Sequence, residues 1–127
     1  MKPCKICGIS QELENFEPAR RYADGRDTRC RSCRKEEHKA RKIRRETALK
    51  DGSLHEGVTC PICKTTTVMS QKISPTRQAI VDHDHNTGET RGVICSLCNS
   101  GLGKLGDTLE NITNAYNYML KHYKEPT

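Results

Sequence analysis

Large apolar side chains are what this 127-residue sequence has least of. It contains no Trp, one Phe and four Tyr, and hydrophobic residues make up 33% of it. Little material is therefore available for a hydrophobic core, and a chain of this size needs a covalent or metal staple to fold. Long apolar runs are missing too. No stretch approaches the roughly 20 residues of a membrane span, and the opening MKPCKICG has no apolar segment of the kind a secretory signal uses. The expectation is a protein with no membrane partner in a reducing compartment, where thiolates persist.

What the sequence does have is cysteine in a regular arrangement. Eight cysteines fall into four CxxC pairs with none left over: Cys4/Cys7, Cys30/Cys33, Cys60/Cys63 and Cys95/Cys98. A disulfide scaffold also has an even count, but a CxxC turn aims two thiolates at one point, as tetrahedral zinc requires. Pairing nearest pairs gives two independent Zn²⁺ sites, Cys4, Cys7, Cys30 and Cys33 in one and Cys60, Cys63, Cys95 and Cys98 in the other. With four thiolates each, neither leaves a position for water or substrate, so both zincs are structural.

Charge divides the chain unevenly. Residues 1 to 50 hold 15 Lys/Arg against 8 Asp/Glu, a net of +7, whereas residues 51 to 127 hold 7 against 8, a net of −1. Such asymmetry suggests a polyanion-binding arm joined to a module with other work to do. Three segments are expected. Residues 1–50 form a zinc ribbon with short hairpin elements and a basic helix from Arg34 to about Leu49, 51–59 a linker marked by Asp51-Gly52-Ser53 and Glu56-Gly57, and 60–127 a second zinc module. The helix is free of Gly and Pro but thin in apolar contacts. Its Arg34, Lys35, Lys39, Arg41, Lys42, Arg44 and Arg45 are candidates for phosphate contact, against the plainer reading of a solvated helix.

In the second module, Ala79–Asp82 and Arg91–Ile94 read as the strands of a hairpin around a polar turn containing Gly88. Ser96–Lys104 reads as a short helix. A last helix is expected from Asp107, with Glu110 completing a capping box. Its Leu109, Ile112, Ala115, Tyr116, Met119, Leu120 and Tyr123 form a stripe at helical spacing. The stripe is expected to cover the module's own core, with the seam of a homodimer as the alternative.

Between the third and fourth cysteine pairs, Asp82, His83, Asp84 and His85 crowd four ionisable groups into four residues, and Asn99 directly follows Cys98. In order, the sequence shows Cys60-Pro-Ile-Cys63, Val81-Asp-His-Asp-His85, Arg91-Gly92, Val93-Ile94, Cys95-Ser-Leu-Cys98-Asn99 and Gly101-Leu-Gly103. This series, from Cys60 to about Tyr118, resembles the recombination endonuclease VII family. The N-terminal ribbon and basic helix more loosely resemble an accessory zinc module attached to phage-type HNH and endonuclease VII proteins. The resemblance implies a small α+β, zinc-bound protein with a ββα-metal (His-Me finger) nuclease module behind an N-terminal Cys4 ribbon. It implies further that Asp82 and Asn99 bind a catalytic metal, that His83 is the general base, and that DNA, branched or recombination-intermediate DNA included, is the substrate. The cytoplasm of a bacterium or of a phage-infected host is the matching compartment.

The residue chemistry agrees. Carboxylate and amide oxygens are hard ligands suited to Mg²⁺ or Mn²⁺, and a neutral imidazole can take a proton from an attacking water. Each residue also has a plainer reading: Asp82 as a turn cap, Asn99 as a helix cap, Asp84 as a turn residue, Arg91 as a solvated cation rather than a phosphate ligand. His85 can assist catalysis, orient His83 or contact phosphate. The alternative function is a zinc-ribbon DNA-binding or regulatory protein without catalysis, which would have no need of Asp82, His83 and Asn99 together.

Overall fold

The computed structural model describes residues 1–126. It divides into two compact units, residues 1–46 and 47–127. In chain order the elements are β1 (Lys2–Pro3), β2 (Ser10–Gln11), β3 (Phe16–Pro18), β4 (Arg26–Cys30), α1 (Arg31–Asp51), β5 (Ala79–His83), β6 (Thr90–Cys95), α2 (Ser96–Lys104) and α3 (Leu109–His122). The strands pair as three separate antiparallel hairpins, β1 with β2, β3 with β4 and β5 with β6.

In the first unit a knuckle turns at Gly8, whose N–H donates to the Cys4 carbonyl at 2.9 Å with φ +73°, a conformation only glycine adopts without cost. Phe16, fully buried, packs with Cys4, Cys30 and Cys33. One aromatic ring is thus the whole apolar centre of this unit, so the cysteines form its core as well as its metal site. Asp27 is buried too, with both oxygens accepting from Arg29 and with Arg34 at 3.6 Å. The Arg29 hydrogen bonds hold its carboxyl below the usual range against the cost of burial. Helix α1 begins at Arg31, one turn earlier than the composition suggested, and carries Cys33 in its first turn.

In the second unit Ala48, Leu54, Ala79 and Val93 form one buried cluster with Val58, Met69 and Val81 around it. Leu54 lies in the stretch read from sequence as a linker, yet it is 2% exposed. Its polar neighbours hide a single anchoring side chain. A second cluster joins Cys60, Ile94 and Cys95 to Cys98 and Leu102. Opposite residues of an antiparallel pair share a face. Ala79, Val81 and Val93 therefore line one side of the β5–β6 hairpin, and Ile80, Asp82 and Ile94 the other.

Two expectations for the C-terminal helix fail. Thr108, not Asp107, is the N-cap, its hydroxyl accepting from the Asn111 N–H at 3.1 Å. Asp107 instead has φ +54°, and its carboxylate accepts from Arg91. The apolar stripe does not cover the module's core either. No described residue of α3 is buried, and Leu109, Tyr116, Met119 and Leu120 are all exposed. The core beneath the hairpin is already filled by Ala48, Leu54 and Met69.

Candidate functional site

The two cysteine quartets assemble as the spacing requires. Cys4, Cys7, Cys30 and Cys33 form one and Cys60, Cys63, Cys95 and Cys98 the other, with the sulfurs of each set within 4.8 Å of one another. A tetrahedron with Zn–S bonds of about 2.3 Å has edges near 3.8 Å, and the Cys63 and Cys95 sulfurs stand 3.7 Å apart. Both quartets fit zinc.

Protons are unevenly distributed within each set. Against the cost of its burial, the N–H groups of Cys30, Cys7 and Ile6 draw the Cys4 thiol down to about 6. The Thr65 hydroxyl and N–H draw Cys63 down to about 6. Cys33, facing the Cys30 sulfur, is pushed up to about 12, and burial together with Cys95 pushes Cys98 up to about 12. Neighbouring thiolates repel, so the last protons leave only when a cation joins the set.

The second quartet positions the ionisable cluster. Cys95 ends β6 and caps α2, its sulfur accepting from the Cys98 N–H at 3.4 Å. Asn99 follows on that helix, one turn before Leu102, which packs against the cluster of Cys60, Ile94 and Cys95. Asp82 is 6% exposed. The register passes from Asp82↔Gly92 to His83↔Thr90, leaving Arg91 as the extra residue of a bulge. A bulge re-aims a side chain. Gly92 makes it possible at φ +154°, a backbone region left almost wholly to glycine.

The Arg91 side chain is directed onto carboxylates. Its Nε donates to Asp82 Oδ2 at 2.7 Å and its Nη2 to Asp82 Oδ1 at 3.1 Å, while Nη2 also reaches Asp107 Oδ1 at 2.8 Å. His85 Nε2 lies 4.0 Å from the other Asp107 oxygen. The His83 and His85 rings lie 4.6 Å apart at 54°. Asp84 holds the turn, its Oδ1 accepting from the N–H groups of Asn86 and Thr87, which lower its pKa.

Asp82, Arg91, Asp107, His85 and His83 are therefore linked in a chain of side-chain contacts, and Asn99 lies on α2, the helix that follows β6 directly. Sequence reasoning gave Asp107 no part here. Its only signal was an acid after Gly106, and the pairing of Arg91 needed the register.

Of the basic residues on α1, Arg34 is committed to Asp27, Lys35, Lys39, Arg41 and Lys42 are exposed, and Arg44 and Arg45 are half-buried.

Residues 43–121, more than half of the chain, match the model of the recombination endonuclease VII family. The chain belongs to this family. Among curated proteins it is similar to the Gene 59 protein of Mycobacterium phage D29, with 32% identity covering 94% of this chain and 74% of that protein. The Gene 59 protein of Mycobacterium phage L5 is 36% identical over 51% of this chain and 37% of its own length. Among solved structures, the ββα-Me type II restriction endonuclease Hpy99I matches with a TM-score of 0.53 and 28% identity, over 94% of this chain and 65% of that one. This endonuclease VII member thus has a small α+β fold of the ββα-metal nuclease type with two Cys4 clusters fit for zinc. No helix among the described residues is long and apolar enough to cross a membrane.

Proposed function

We propose that the chain is a divalent-metal-dependent DNA endonuclease whose hydrolytic centre is Asp82, His83 and Asn99. The observation that supports this most is the buried Asp82 carboxylate, next to His83 in β5, in a hairpin whose second strand runs directly into the helix that carries Asn99. Asp82 and Asn99 offer hard oxygens that suit Mg²⁺ or Mn²⁺. Such an ion, when bound, supplies charge neutralisation at the scissile phosphate and the departing oxygen. His83 accepts the proton of the attacking water. The ring contact from His85 supports a role in orienting His83. The two zincs stay outside the chemistry, because thiolates occupy every position around them.

The basic face of α1, with Lys35, Lys39, Arg41, Lys42, Arg44 and Arg45, supplies affinity for the phosphate backbone without reading sequence. Branched recombination intermediates are the substrate class we assign. Paired cuts on such DNA need two centres, and the exposed apolar face of α3 offers a second copy of the chain a place to dock. Eight free cysteines suit the reducing cytoplasm of a bacterium or of a phage-infected host.

The test offers supercoiled, linear, single-stranded and four-way junction DNA side by side, in Mg²⁺ and in EDTA. Cleavage should need Mg²⁺ and be fastest on the junction. His83→Ala should lose roughly 100-fold or more in rate, with two zincs and DNA affinity retained. One observation favours the alternative, binding without cleavage: Arg91 engages both oxygens of Asp82. DNA bound tightly but left intact in Mg²⁺ would establish that reading instead.

A further inference from the structure

The same ion pair bears on how the centre accepts its metal, and the inference rests on the metal-site reading above. Both Asp82 oxygens are engaged by the Arg91 guanidinium in a bidentate fork. A divalent cation binding the same carboxylate meets a positive charge already seated there. Such a cation would hold Arg91 off or be weakened by it.

Arg91 has a second place to go. Asp107 accepts from Nη2 at 2.8 Å, so one guanidinium nitrogen already bridges the two carboxylates. Giving up Asp82 would not leave the cation unpaired. The backbone around Asp107 is shaped for this contact. Gly106 has φ +86° and Asp107 φ +54°, and the Asp107 N–H donates to the Leu102 carbonyl at 2.8 Å, tying the segment to the end of α2. Left-handed conformation at a non-glycine residue persists where the surroundings impose it, and it gathers at functional sites. The helix cap falls to Thr108, which leaves the Asp107 carboxylate to Arg91 and, 4.0 Å away, to His85.

We propose that Asp107 is a positioning residue, the second seat that takes the Arg91 guanidinium when a divalent metal claims Asp82. Arg91 is accordingly an internal counter-ion of the metal-free centre, and its transfer to Asp107 keeps the fork beside the metal site.

The test measures Mn²⁺ binding to the zinc-loaded full chain without DNA, from the free-ion electron paramagnetic resonance signal. Zinc content and circular dichroism serve as checks on folding. Arg91→Gln should tighten Mn²⁺ binding by on the order of tenfold, since the competing charge is gone. Asp107→Asn, which tolerates the left-handed backbone, should weaken it by a similar factor. In the Arg91→Gln background the Asp107→Asn effect should vanish, because no cation remains to be seated. Equal weakening in both backgrounds would reduce Asp107 to a general source of negative field and overturn the proposal. So would unchanged affinity in Arg91→Gln, a result that stands even if Asp107→Asn fails to fold. Asp82→Asn separates the two levels. If it binds Mn²⁺ as wild type does, or if wild type binds none, the metal-site reading itself fails and the second seat falls with it.

Discussion

Replacing Cys95 with Ser tests how the second unit is held together. Cys95 is fully buried, pairs with Ala79 across the hairpin, lies 3.7 Å from the Cys63 sulfur and caps α2. Serine keeps most of the volume and can still accept from the Cys98 N–H, so the capping loss is small, within the roughly 1 kcal/mol a cap contributes. The metal loss is the large effect. Zinc bound by four thiolates contributes about 10–16 kcal/mol of folding free energy in small zinc domains, against total stabilities of about 5–15 kcal/mol for whole proteins. The two small clusters around Leu54 and Ile94 cannot offset a deficit of that size. The variant should bind one zinc instead of two, measured by elemental analysis after desalting. The amide spectrum of residues 47–127 should collapse, while the resonances of Cys4 to Cys33 remain dispersed. Cleavage should disappear with the unit. Two zincs retained with the hairpin intact would refute the claim that this quartet holds α2 to the hairpin.

Three further outcomes follow from the structure. Leu54→Ala should destabilise the second unit by about 2–4 kcal/mol as a buried leucine truncation, read as a lower denaturation midpoint; a shift no larger than that of an exposed-site control would make 51–59 a free linker after all. Zinc uptake by the metal-free chain at pH 7 should release at least one proton per site, because Cys33 and Cys98 are pushed up to about 12 and must ionise to bind. Calorimetry in two buffers of different ionisation enthalpy reads that proton, and identical heats would contradict it. Changing Arg41, Lys42, Arg44 and Arg45 to Gln should weaken binding to all DNA sequences alike and flatten the salt dependence by up to about 0.9 in slope for each phosphate no longer neutralised; an unchanged slope would take this helix off the DNA backbone.

What the sequence made legible is what local chemistry determines. The CxxC spacings define both quartets because a metal tolerates few geometries, and the α2 limits could be read from its flanking cysteine and glycines. Where tertiary packing chose between local options, the reading failed. Asp107 and Thr108 are both good caps, and the choice fell to Thr108 because the Asp107 carboxylate faces Arg91. Leu54 sits among Gly, Ser, His and Glu, and nothing local marks its side chain as core. The period of the α3 stripe is plain in the sequence, but a period says which face is apolar, not what covers it. Arg91 was visible as a cation beside a strand, and only the bulge opposite Asp82 and His83 showed where it goes.

The same Cys4 frame is built twice, and the comparison shows which part of it has chemical consequences. In each unit a CxxC knuckle closes on a left-handed residue, Gly8 in one and Lys64 in the other, whose N–H donates to the first cysteine's carbonyl. In each, a strand ends at a cysteine, Cys30 or Cys95, and the helix that follows carries the fourth ligand in its first turn. The residue after that ligand differs. In the first unit it is Arg34, drawn to the buried Asp27, and in the second it is Asn99, an uncharged side chain with an amide oxygen. The hairpins differ as well: the first buries Phe16 against the sulfurs, whereas the second carries Asp82 and His83 beside a bulge that aims Arg91. The cysteine spacing therefore accounts for two ββα frames fit for zinc and predicts nothing about reaction. A frame of this kind becomes a candidate for hydrolysis only through a buried carboxylate, an adjacent imidazole and a helix-borne amide, and only the second unit has all three.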